Sequence, residues 1–142
     1  MEDGSEPIAD GEFLYRRIPV SQGWYDQVHG LKPEAFAPHR ERDATGISIY
    51  RAKYKPIEVA ARGQPGKSYY VAVFHAGDLR GNGISVIPRP LPNDPGHAEL
   101  PDLNSNNRKS DPTLERARLL AEALCVRVEG PFQTPKRDDS NP

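Results

Sequence analysis

Proline and glycine interrupt this chain so often that none of its elements can be long. There are 15 prolines and 12 glycines among 142 residues, and either type weakens a helix or a strand ladder unless it falls at an end or a turn. Much of the chain is therefore turn and loop. The length is that of one ordinary domain, enough to bury a core without metal or disulfide staples. Residues 1–10, acidic and broken by Gly4 and Pro7, read as a flexible lead-in. Residues 11–129 read as a single globular domain, and 130–142, GPFQTPKRDDSNP, as a disordered tail.

Between the breaks, hydrophobic periodicity gives the elements. FLYRRIP, residues 13–19, is a strand that Pro19 ends. GISIYRAKY, 46–54, alternates Ile47 and Ile49 with Ser48 and Tyr50. PIEVAAR, 56–62, opens on a proline suited to the first helical turn. SYYVAVF, 68–74, is the most apolar run and reads as a central strand. AGDLRGNG, from 76, allows one helical turn; 84–87 and 126–128 are further strands, and 98–100 a short edge strand. The best helix starts with Asp111 as N-cap and Pro112 at its first position. Leu114, Ala117, Leu120, Ala121 and Leu124 then form its inward face. Strands and helices do not alternate as βαβ units. The expected class is α+β, a mostly antiparallel sheet of four to six short strands with one good C-terminal helix.

Composition excludes several functions. Lys plus Arg number 19 and Asp plus Glu 20, so nothing pulls the chain towards nucleic acid or an anionic membrane. No apolar run reaches the roughly 20 residues of a membrane span. The acidic start does not read as a signal peptide, and the expected setting is the cytoplasm. Cys125 is the only cysteine, so a cysteine-type zinc site is excluded. His29, His39 and His75 show no metal-ligand spacing, and no metal is expected.

The stretch RPLPNDPGHAEL, 89–100, holds the leading candidates. Pro90, Pro92 and Pro95 restrict the loop, and on a following strand His97 and Glu99 share a face. A carboxylate beside an imidazole is half of a general-base site; alternatively, His97 simply bonds a backbone carbonyl at a loop–strand joint. The loop also carries the spacing R-x-x-P-x-x-P, suited to a polyproline helix in an SH3-type groove. Arg16 and Arg17 are adjacent on a strand and point to opposite faces, with Arg16 on the side of Leu14. An inward arginine needs a carboxylate partner or lines an anion site. Ser48, between two core isoleucines, faces away from the core, without the G-x-S-x-G elbow of a hydrolase. Trp24 and Tyr25, with Phe36, supply a patch or pocket wall. The candidate catalytic set is His97, Glu99 and Ser48; the candidate ligand-binding set is Arg16, Trp24 and Tyr25.

FLYRRIP, LKPEAFAP, GISIYRAKY and PLPNDPGHAEL together resemble a family of small, uncharacterised bacterial proteins over roughly residues 12–100. The resemblance implies a bacterial origin and a shared fold, and transfers no catalytic residue. Arg16, Ser48 and Glu99 also fall in the order in which ADP-ribosyltransferase-type domains place their NAD-holding basic residue, strand serine and glutamate. The S-T-S and E-x-E signatures of those enzymes are absent here. On these grounds the sequence favours a binding or partner-interaction module, with a protein among its expected partners. The alternative is an enzyme acting on an anionic or nucleotide-like substrate, with NAD as cofactor only in that case.

Overall fold

The computed structural model describes residues 3–136. In chain order the elements are β1 (Phe13–Pro19), β2 (Tyr25–Asp26), β3 (Gly30–Leu31), β4 (Ile47–Arg51), α1 (Ile57–Ala60), β5 (Ser68–His75), α2 (Ala76–Gly81), β6 (Ile87–Pro88), β7 (His97–Leu100), α3 (Asp111–Leu119) and β8 (Arg127–Gln133). Six strands form one antiparallel sheet in the order β6-β7-β4-β1-β5-β8, and β2 and β3 form a small hairpin. The α+β expectation holds.

Alternation fixes the faces of the sheet. Ile47, Ile49 and Arg51 of β4 are buried, while Ser48 and Tyr50 are only half-buried. Partners across a ladder share a face. Leu14 lies opposite Phe74 in β5 and Arg51 in β4; Ile49 lies opposite Ala98 and Ile47 opposite Leu100 in β7. These side chains meet Phe36, Leu79, Leu103, Ala117 and Leu120 in the main core. Tyr15, Arg17, Ser48, Tyr50, His97 and Glu99 belong to the other face. There α1 packs on β1, and Ala60, Ala61, Val71 and Val73 are buried.

Several elements differ from their sequence reading. The segment 98–100 is not at the edge: β7 lies between β6 and β4, and the two-residue β6 takes the edge. Most of the expected strand 84–87 does not pair; Ile84 and Val86 turn into the core, and the Ser85 N–H donates to Asp102 Oδ2 at 2.7 Å. The α3 N-cap is Ser110, whose Oγ accepts from the Thr113 N–H, so Asp111 falls inside the helix. The helix continues as a π turn over Leu120–Leu124. Its buried stripe runs through Thr113, Ala117 and Leu120, and Leu114 is 53% exposed. One residue turns about 100° around a helix, enough to carry Leu114 off that stripe.

The ends also enter the fold. Arg51, fully buried, donates to Glu12 Oε1 and Oε2 at 2.9 and 2.8 Å, and to the carbonyls of Gly4, Glu6 and Pro7. Ile8 lies in the core. Of the expected lead-in, Gly4, Glu6, Pro7 and Ile8 are thus tied to the sheet and core. At the other end, β8 extends through Gln133 and the Thr134 side chain is buried. The rest of the expected tail, residues 137–142, lies outside the described residues.

Two outcomes test this packing. Leu120→Ala removes a fully buried side chain and is expected to cost about 2–5 kcal/mol in urea denaturation, whereas Leu114→Ala changes stability by about 0.5 kcal/mol or less. The second concerns acid. Hydrogen bonds from Lys53 and Tyr54 hold the Glu6 carboxyl down, from the ordinary 4.5 to about 2. Burial pushes the Glu12 carboxyl up, but the Arg51 hydrogen bond, the Ala9 N–H and the charges of Arg51 and Lys53 together outweigh it, and the net direction is down. Carboxyls depressed by folding stabilise it above their unfolded value and lose that contribution as pH falls through the folded value. Amide-exchange protection over residues 4–12 is therefore expected to be constant above about pH 5 and to fall as the pH approaches 2.

Candidate functional site

The site begins where a ladder stops. β1 pairs with β5 along all seven of its residues but with β4 only at Leu14–Arg51 and Tyr15–Tyr50. Two residues further on, the same register would set Arg17 opposite Ser48. The strands part there, and the Arg16 side chain enters the gap. Its Nη1 donates to the Ser48 carbonyl at 2.9 Å, and its Nε and Nη2 donate to the Ala35 carbonyl at 3.2 Å. Arg16 is on the core side, as its alternation with Leu14 requires. Its partners are backbone carbonyls, where a carboxylate was one expectation. Burial lowers its pKa, and the Asp43 charge opposes that shift.

The gap opens into a groove of about 1280 Å³ at this end of the sheet. Arg16, Arg17, Arg42, Arg62 and Lys67 line it against two acids, Glu34 and Asp43; Trp24, Tyr50 and Tyr69 add aromatic surface. The Arg17 guanidinium lies 5.3 and 5.5 Å from the ring centres of Tyr50 and Tyr69 and donates to the Arg62 carbonyl. Tyr69 lies against Gly63, where a Cβ would fall 2.3 Å from the ring. Its hydroxyl accepts the Gln64 N–H at 2.8 Å, which fixes the wall.

Ser48 lines the same groove. The Arg51 N–H donates to the Gly96 carbonyl at 2.8 Å, which makes that pair a hydrogen-bonded one. By alternation, Tyr50–His97 and Ser48–Glu99 are the non-hydrogen-bonded pairs, whose side chains stand closest. His97 is buried, with its ring edge-on to Tyr50. Its Nδ1 lies 2.9 Å from the Arg89 carbonyl and its Nε2 3.0 Å from Ser48 Oγ. A carbonyl only accepts, so Nδ1 carries the proton. In the neutral ring, Nε2 then accepts from the serine hydroxyl.

The remaining candidates separate. His97 and Glu99 share a face, but Glu99 does not orient the imidazole; Glu99 Oε1 accepts from Thr45 Oγ1 at 2.8 Å and from Arg89 Nε at 3.3 Å. Trp24 lines the groove and also packs on the core, whereas Tyr25 stacks edge-on against Tyr70, away from the groove lining. The proline loop is not an extended polyproline helix, because Leu91 and Asp94 exchange two backbone hydrogen bonds across a tight turn. Sequence reasoning missed Arg42, before β4, and Arg62 and Lys67, both in the loop between α1 and β5, which carry no recognisable motif. It also missed Arg51, although the alternation Ile47, Ile49, Arg51 carried that signal.

Comparison of the chain with protein families, with curated proteins and with solved structures found no match.

Arg16→Met is expected to destabilise the fold by about 1–3 kcal/mol, because it leaves two carbonyls without their donors. The change in midpoint of chemical denaturation checks this.

Proposed function

We propose that the protein is a binding module whose groove takes an anionic ligand, a small molecule bearing phosphate or carboxylate groups. One observation carries this reading. Arg51, Arg80, Arg89, Arg118 and Arg127 each pair with a carboxylate. Among the described residues, no such ion pair involves Arg16, Arg17, Arg42, Arg62 or Lys67, the cations of the groove. Arg16 and Arg17 are half-buried; partly buried positive charge without a counterion is costly, and an incoming anion relieves that cost. Guanidinium forks match planar carboxylate and phosphate oxygens. The aromatic walls suit a ligand with a flat ring, such as a nucleotide. An ADP-ribosyltransferase-like reaction has less support, since carbonyls take the Arg16 donors and Thr45 and Arg89 hold Glu99.

Calorimetric titration at low salt with inorganic phosphate, citrate, ADP and NAD tests the proposal. At least one polyanion is expected to bind, with an affinity that falls as salt rises. The exposed pair Arg62→Ala and Lys67→Ala together should weaken it about tenfold or more, since charged hydrogen bonds contribute about 1.5–3 kcal/mol each. No binding at millimolar ligand, or unchanged affinity in the double variant, would overturn it.

A further inference from the structure

We propose that Ser48 is a nucleophile with His97 as its general base, and that the groove cleaves carboxylic esters bearing a negatively charged group. The preference for a charged ester rests on the anion-binding reading; the reactivity of Ser48 does not.

Three observations on separate elements converge on Ser48. The first is the pair itself: Ser48 on β4 and His97 on β7 lie within hydrogen-bond reach, with Nε2 facing Oγ at 3.0 Å. The second is the tautomer. The Arg89 carbonyl takes the Nδ1 proton at 2.9 Å, and so leaves the Nε2 lone pair on the serine side. A carbonyl here performs the orienting role that a carboxylate performs in a Ser-His-Asp triad. The third is placement. Ser48 lies on the groove wall with His97 buried behind it, so a ligand in the groove comes up against the serine from the side opposite its base. Arg16 and Arg17 line the same groove and give it the positive charge that favours a developing oxyanion.

The reaction balances with water as the only co-reactant. Ser48 Oγ bonds to the ester carbonyl carbon as its proton passes to His97 Nε2. The tetrahedral adduct collapses, the C–O bond to the alcohol breaks, and the alkoxide leaves with the proton from Nε2. Water then adds to the acyl-serine, gives a proton to Nε2, and that proton returns to Ser48 as the acid departs.

The test uses the full chain, a fluorophosphonate probe, and two 4-nitrophenyl esters: the neutral acetate and the anionic hemisuccinate. One probe per chain is expected, located on Ser48 by peptide mass spectrometry and lost in Ser48→Ala. His97→Gln is expected to slow labelling and ester turnover by at least about 100-fold, the scale of general-base catalysis. Thermal melts of both variants separate loss of chemistry from loss of fold. A folded Ser48→Ala that labels like the parent, a parent that does not label, or a folded His97→Gln with an unchanged rate would each overturn the nucleophile, whatever the titrations give. Variants that fail to melt cooperatively are replaced by His97→Asn and Ser48→Gly, read in the same way. Equal turnover of both esters, unaffected by Arg62→Ala with Lys67→Ala, supports the nucleophile and overturns the anionic preference.

Discussion

A guanidinium standing in for a strand ladder is the constraint on which the site depends. Two strands that part inside a sheet expose unpaired carbonyls, and a buried unpaired carbonyl is expensive. Arg16, reaching out from β1, satisfies the Ser48 carbonyl of β4 and the Ala35 carbonyl of the segment that precedes β4. With that contact, β1 stays fully paired to β5 while its end diverges from β4. The divergence creates the groove, sets Ser48 on its wall, and places a positive charge at its base. A lysine has one nitrogen and could not reach both carbonyls with a planar fork.

The charge balance of the whole chain conceals this arrangement. The formal net charge is −1, which suggests no electrostatic function. Folding sorts the charges unevenly. Acids pair with cations outside the groove, and the buried Arg51 meets both Glu6 and Glu12. The groove is left with five cations and two acids. A neutral total is therefore compatible with a strongly polarised site.

The sequence made the local geometry of the site readable but not its assembly. Period-two alternation sufficed to set Ile47 and Ile49 inward and Ser48 outward, and to place Arg16 on the side of Leu14. It also put His97 and Glu99 on one face. Which acceptor each side chain would choose depends on distant residues, and alternation carries no such information. Glu99 turned to Thr45 and Arg89, and a carbonyl took its place behind His97. The helix was legible in its capping residues to within one position; the error at Leu114 arose because the buried stripe uses Thr113, which a hydrophobic pattern does not count. β8 was cut short because Gly130 and Pro131 look like an end, whereas an edge strand tolerates both.

The strand order has a kinetic consequence. Four of the five ladders in the large sheet join residues far apart in sequence; Tyr15 and Tyr50 are the nearest partners among them, 35 positions apart. Only β6 and β7 pair locally. The chain must close long loops before most of its sheet contacts can form, and loop closure is an entropic cost met in advance of any gain. Such topologies fold towards the slow end of the range for small domains. Until β4 and β5 have both found β1, the apolar run SYYVAVF stays open to other chains. An apolar strand left open in this way is where pairing between chains competes with folding.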